Sequence, residues 1–189
     1  TKSLQLARET AESNDQDEIA WLLVAQAAMM AARSTSVKLA KDQLLAESRT
    51  SLDIALALSK DSSVPAYKMR LRFRAEFFDE AALRADIITL SESNVQEPTR
   101  SLLAGLSFIQ IRDSVSALPL LKRAIQYAPS DPQVFVALSQ YYQLVGDNQN
   151  VITSLEKALE LAPSRVDIRN RLAIALALRS GSGIPWDRL

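Results

Sequence analysis

Histidine and cysteine are both absent from the 189 residues. Their absence removes the usual donors of zinc sites, cysteine nucleophiles, disulfides and every Ser-His-Asp arrangement. Carboxylate or Ser-Lys chemistry remains in principle, but no spacing marks a pair for it, so the expectation is a protein without catalytic activity, metal or cofactor. A chain without thiols suits the cytoplasm and the bacterial periplasm equally, and the compartment stays open between them. Glycine is scarce, with four residues, three of them at 146, 181 and 183. A sheet protein of this length needs more turn glycines. An excess of either charge is also lacking, with 22 Lys+Arg against 22 Asp+Glu. A protein built to neutralise a nucleic-acid backbone carries a basic surplus, so nucleic acid is not the expected partner. No apolar run reaches membrane-spanning length; the longest candidate, residues 19–32, is short and interrupted by Gln26. Thr1 begins neither an initiator Met nor a signal peptide. The expectation is a piece of a longer chain whose address signal lies elsewhere.

What is present points to helix. The chain is 48% hydrophobic and 23% charged, enough to bury a core, and alanine and leucine dominate it. It also repeats. Leu155-Glu-Lys-Ala158, followed by Leu-Glu-Leu-Ala-Pro163, echoes Leu121-Lys-Arg-Ala124, followed by Ile-Gln-Tyr-Ala-Pro129, 34 residues earlier. Pro98 and Pro132 stand at the same spacing of 34, as do Pro129 and Pro163. Two independent proline pairs share one period. Another step back leads to Ile87 and Leu90, and fainter echoes lie at Leu52-Asp-Ile-Ala55 and Leu4-Gln-Leu-Ala7. Pro98 and Pro132 suit a first helical turn, where the missing N–H had no helical partner, and Pro129 and Pro163 suit the exit from a helix.

These residues resemble the tetratricopeptide (TPR) family, in which each unit of 34 residues is a pair of antiparallel helices. The best match runs from 132 to 165. Phe135 and Leu138 take the first large positions, Tyr142 the aromatic one, Gly146-Asp147 the turn, and Leu155, Ala158 and Pro163 the second helix and its exit. Ser139 and Val151 depart from the pattern. Residues 98–131 keep Gly105, Phe108, Ala117, Leu121, Ala124 and Pro129, with Ser101 in place of the first aromatic and Arg112 in place of the turn glycine. Residues 62–97 keep Tyr67 and Phe78-Asp-Glu-Ala81, slightly out of register. The resemblance implies an all-α fold, a right-handed superhelical solenoid of antiparallel helix pairs. The implied units are 18–61 with an insertion near 33–41, 62–97, 98–131, 132–165 and a partial unit at 166–189; residues 1–17 form the second helix of an earlier unit. The whole chain, 1–189, then reads as a single array.

The stretch "YKMRLRFRAEFF", residues 67–78, alternates apolar and polar residues as a half-buried strand does. Helical spacing accounts for it equally. Tyr67, Leu71, Ala75 and Phe78 form one stripe, and Met69, Phe73 and Phe77 form another beside it. With Ser62 or Ser63 as cap and Pro65 in the first turn, the expectation is a helix over 64–76. Lys68 and Arg72 then share one face, and Arg70 and Arg74 another. In the TPR family the first helix of each unit lines the concave groove. The resemblance therefore implies a partner-binding set of Lys68 and Arg72 (Arg70 if the register slips by two), then Leu102, Leu106 and Ile109, then Gln133, Val136, Gln140 and Gln143. Basic, apolar and amide-bearing in turn, this surface suits an extended peptide or protein segment.

Smaller features read as structural. Asp17-Glu18, Asp79-Glu80 and Asp147 suit helix N-termini, and Trp21 suits the core. Pro119 is harmless if its helix begins near Ser116, which is the expectation. The chain breaks pattern at "SGSGIPWDRL", where Trp186 and Leu189 fold back as a cap or a further domain follows; an uncapped end could also stack on a second copy. The functional expectation is a non-catalytic interaction scaffold or adaptor for a protein or peptide. The alternatives are the scaffolding TPR region of a larger secretion, pilus, polysaccharide-export or regulatory protein, and a helical-repeat RNA binder.

Overall fold

The computed structural model describes residues 2–60, 63–77, 80–92 and 98–180, and every regular element among them is an α-helix. In chain order these are α1 (Lys2–Ser13), α2 (Glu18–Ser34), α3 (Lys38–Leu58), α4 (Val64–Glu76), α5 (Glu80–Glu92), α6 (Pro98–Gln110), α7 (Ser114–Tyr127), α8 (Pro132–Val145), α9 (Asn148–Leu161) and α10 (Val166–Ser180). Consecutive helices pack as hairpins, α2 on α3, α6 on α7 and α8 on α9. This is the all-helical arrangement that the resemblance implied. The chain divides into two compact units, Thr1–Asp86 and Ile87–Leu189. The proposed cap of Trp186 and Leu189, and Phe78 and Asp79 of the earlier pattern, lie outside the described residues.

In the second unit the 34-residue period governs hydrogen bonds as well as residue types. At the α8–α9 turn Gly146 takes φ +79°, and the Asp147 N–H reaches back to the Tyr142 carbonyl at 2.9 Å. At the α6–α7 turn Arg112 takes φ +60°, and the Asp113 N–H reaches the Phe108 carbonyl at 2.9 Å. Both are left-handed helix terminations that satisfy carbonyls of the last turn. Each aspartate then caps the next helix: Asp113 accepts from the Ser116 N–H at 3.0 Å, and Asp147 from the Asn150 N–H at 3.1 Å. The exits match too, with Ala128 N–H donating to the Ala124 carbonyl at 2.9 Å and Ala162 N–H to the Ala158 carbonyl at 3.1 Å, each just before a proline.

The Asp113 cap also corrects one expectation. By accepting from both the N–H and the hydroxyl of Ser116, it starts α7 at Ser114 and not near Ser116, so Pro119 lies inside the helix. Proline there removes the bond to the Val115 carbonyl. Val115 is 84% exposed, so water can take the donor's place.

The core of this unit is built on close approach. A Cβ on Gly105 would stand 2.8 Å from Leu121 Cδ2, so glycine lets α6 sit directly on α7. Leu121, Ala137 and Leu138 form one buried cluster, covered by Leu102, Leu106, Ile109, Phe135 and Tyr142. Val136, Leu155, Ala158 and Ile168 form the next, joining α8, α9 and α10.

In the first unit the extra residues near 33–41 lengthen the helices and do not form a loop. α2 has 17 residues and α3 has 21, against 14 in each of α8 and α9, and only residues 35–37 join them. Asp17 caps α2 by accepting from the Ile19 N–H at 2.9 Å. Small residues set the spacing here: Ala7 and Ala11 of α1 meet Ala20, Ala28 and Ala31 of α2. Ser48, fully buried on α3, donates to the Ala25 carbonyl of α2 at 3.1 Å, so its hydroxyl is satisfied at the contact. Trp21 packs against this cluster half-buried, its indole N–H donating to the Asp15 carbonyl at 2.8 Å.

The two equivalent turns provide a paired test. Nothing lies within 4 Å of a Cβ built on Gly146, so substitution there reads backbone strain alone. Gly146→Ala is expected to cost about 1 kcal/mol, and Arg112→Gly to add about 0.5 kcal/mol, the second reduced by glycine's extra freedom in the unfolded chain. Urea unfolding of both variants checks the pair, and shifts of the same sign would contradict it.

Candidate functional site

α4 forms over Val64–Glu76 because Ser63 accepts from the Ala66 N–H at 3.1 Å and Pro65 sits in the first turn. Tyr67, Leu71 and Phe73 are buried, and the rings of Phe73 and Phe77 pack at a tilt of 50° with centroids 5.3 Å apart. The four cations separate by face. Arg70 donates to Asp53 on α3 and to Asp86 on α5, both at 2.9 Å, and Arg74, only 9% exposed, donates to Asp86 at 3.2 Å. That face is structural. Breaking a buried pair of this kind by removing one partner costs about 3–5 kcal/mol. Arg70, the alternative groove residue, is therefore committed to the packing of α3, α4 and α5.

Lys68 and Arg72 lie on the other face, exposed, and neither is held in an ion pair among the described residues. They line a groove of about 380 Å³ between α2 and α4. Its walls are Gln26, Met29, Met30 and Arg33 on α2 and Pro65, Lys68, Met69 and Arg72 on α4. Each set follows the spacing i, i+3, i+4, i+7, one stripe of a helix, and the two stripes face each other. The chain has three methionines, and all three are here. Met29 is 4% exposed and joins the core with Phe73 and Leu52; Met69 packs on the same cluster; Met30 is 58% exposed.

Polar contacts near both ends tie the helices that form the groove. Near the start of α2 the Ser63 hydroxyl donates to the Glu18 carboxylate, and in its last turn the Arg33 guanidinium makes a two-pronged contact with Glu76 at the end of α4. The hydrogen bonds from Arg33 hold the Glu76 carboxyl below its usual range, against the effect of burial, with the charges of Arg33 and Arg72 assisting. The same bond pushes Arg33 up. Arg33 is thus neutralised in place, and the free positive charge of the groove belongs to Lys68 and Arg72.

In the second unit, Leu102, Leu106 and Ile109 lie on one face of α6, partly buried against Leu121, Ala137 and Leu138. Val136 is 6% exposed and belongs to the cluster with Leu155, Ala158 and Ile168, so it presents little surface. Gln133 is exposed, and in the amide orientation that satisfies both groups it accepts from Arg165 Nη2 at 3.0 Å. Gln140 is half-buried. Gln143 lines a second depression of about 210 Å³ with Ser139, Asn148, Arg171, Ile174 and Leu178. The structure brings Lys68 and Arg72 into one groove, while Gln133 and Val136, on the same helix as Gln140 and Gln143, have other neighbours. Sequence reasoning missed the α2 wall, Gln26, Met29, Met30 and Arg33. The signal was present as a common offset of 39 residues between the two stripes, hidden by a search for 34.

No family model matches the sequence. Cellulose synthase operon protein C of Escherichia coli K12 is 30% identical over 103 residues, which are 54% of this chain and 9% of that protein; its counterpart in Escherichia coli O157:H7 gives the same figures. The chain therefore spans less than a tenth of the length of these curated relatives. Among solved structures, a thermophilic TPR protein of Thermus thermophilus aligns with 92% of this chain and 71% of its own at a TM-score of 0.44 and 18% identity.

The Glu76–Arg33 contact predicts a pH dependence. A carboxyl held low in the folded state binds fewer protons than in the unfolded chain. Its stabilisation is complete above the unfolded value, roughly pH 4.3, and fades as pH falls through the folded one. Glu76→Gln is expected to melt below the parent protein at pH 7, with the gap closing under acid. Thermal unfolding of both across pH checks this, and a gap that is constant down to strong acid would contradict it.

Proposed function

We propose that the chain is a non-catalytic interaction module that holds a protein segment against the first helices of its hairpins. The observation that carries this reading is the α2–α4 groove: two matched helical stripes, tied near both ends, with two free cations at an apolar floor. Preorganised walls lower the ordering cost of binding, and several shallow contacts of this kind give selectivity without chemistry. The hairpin architecture is one that typically serves as scaffold. Leu102, Leu106 and Ile109 on α6 and Gln143 on α8 extend the proposal to the second unit as further contact positions.

A narrower reading is favoured by the similarity to cellulose synthase operon protein C: the array is the scaffolding part of a larger protein concerned with polysaccharide synthesis or export. The RNA reading has less support. The net charge is zero, and none of the described residues lining the groove is an aromatic on which a base could stack.

Recovery of partners from the native lysate tests the proposal. The chain is expected to retain a protein that the doubly substituted Lys68→Glu, Arg72→Glu variant loses, with helical content unchanged by circular dichroism. Equal recovery by both proteins would refute the role of this groove.

A further inference from the structure

The first unit holds a further cavity, of about 390 Å³, between α1 and α3 with α2 beneath. It uses Trp21 and Val24 of α2, on the opposite side of that helix from Gln26, Met29 and Met30, so it is separate from the α2–α4 groove. Small side chains leave the space unfilled: Ala11 of α1 and Ser51 of α3, both buried, meet here in place of large ones. Trp21 lines the cavity half-buried. Its N–H edge is engaged by the Asp15 carbonyl at 2.8 Å, which fixes the ring and leaves its carbon surface to the cavity. Val24 and Ile54 complete an apolar lining.

Most polar groups of the lining are already used. Arg8 donates to both oxygens of Glu47, at 2.6 and 2.7 Å. The Thr50 hydroxyl donates to the Ala46 carbonyl at 3.1 Å, and that of Ser51 to the Glu47 carbonyl at 2.9 Å. Glu12, exposed at the rim, is held in no ion pair among the described residues. Two carboxylates against one guanidinium leave the lining net negative. The surrounding chain extends that sign. Glu9, Glu12, Asp15, Asp17 and Glu18 fall close together, and no Lys or Arg stands between Arg8 and Arg33.

We infer that this cavity binds a small quaternary ammonium ion. The indole attracts a cation through its ring quadrupole, most strongly of the aromatic side chains, and Glu12 supplies charge complementarity at the rim. The apolar walls suit the methyl groups. Hydrogen-bond supply argues against other occupants. A primary ammonium brings three donors and a sugar brings several hydroxyls, but the cavity has few acceptors left, and each buried polar group without a partner costs binding energy. A quaternary ammonium has no donor to satisfy. The headgroup of a choline phospholipid would bring a phosphate against the acidic surroundings, so the occupant is the free cation.

The tryptophans supply the assay. Nitrogen-15 labelling gives two indole N–H signals, from Trp21 and Trp186, assigned by Trp186→Phe. The probe is choline, which is expected to shift the Trp21 signal saturably. Neohexyl alcohol has the same shape with carbon in place of nitrogen, and ethanolammonium has the same charge without the methyl groups. Both are expected to bind at least about tenfold more weakly. Glu12→Gln, at an exposed position, should weaken choline about threefold to fivefold with an unchanged melting temperature. The Lys68→Glu, Arg72→Glu variant should bind choline as the parent protein does, which keeps this test independent of the α2–α4 groove and of the scaffold reading.

The inference would be overturned by equal shifts from the neutral alcohol or from ethanolammonium, by shifts from cellobiose but not choline, by undiminished affinity in Glu12→Gln, or by sedimentation with phosphatidylcholine vesicles that free choline does not compete away.

Discussion

Leu121 has no exposed surface because two neighbouring helices close over it. It belongs to α7, a glycine on α6 makes room for it, and Ala137 and Leu138 of α8 cover its far side. Neither helix of one hairpin suffices. A hairpin of two amphipathic helices leaves an apolar face that only the next hairpin can cover, and burying a leucine there contributes about 1.5–3 kcal/mol. The residue pattern at the 34-residue period is the consequence. Small residues stand where backbones approach, large ones where gaps remain, and caps recur at fixed offsets because each pair must present its face at the same angle to the next.

That constraint leaves the solvent face of the first helices free to vary, and in the first unit the variation is chemical. α2 and α4 share core residues underneath, through Met29, Met69 and Phe73, and are tied near their ends by Glu18–Ser63 and Arg33–Glu76. The groove between them keeps its width because both its floor and its ends are specified. Polar ties at the ends and soft, polarizable methionines in the middle divide the work: the first hold the walls, the second adapt to what lies between them.

The alternation of residues 67–78 shows how one helix separates like charges by their surroundings. Four cations at alternate positions look equivalent on a flat pattern. On α4, Arg70 and Arg74 meet Asp86 from α5, and Arg70 also meets Asp53 from α3, while Lys68 and Arg72 face the 26–33 stripe of α2, which carries no carboxylate, and Glu76 at the end of α4 is already held by Arg33. The first pair is spent on holding three helices together. The second pair stays available because no carboxylate among the described residues forms an ion pair with it.

Much of the local structure was legible in the chain. The bounds of α4 follow from Ser63 and Pro65, the turns at 112 and 146 from the shared spacing, and the helical class from scarce glycine beside abundant alanine and leucine, since caps, prolines and propensities act over a few residues. The start of α7 was misread because a two-pronged contact from Asp113 to Ser116 outweighed the proline further on. What only the tertiary structure decided lies between helices distant in sequence: that the extra residues of α2 and α3 extend helices, that Val136 is buried against α9 and α10, and that Gln26, Met29 and Met30 face Lys68, Met69 and Arg72. Each depends on which side chain of another helix arrives opposite, and a period read along the sequence carries no information about that meeting.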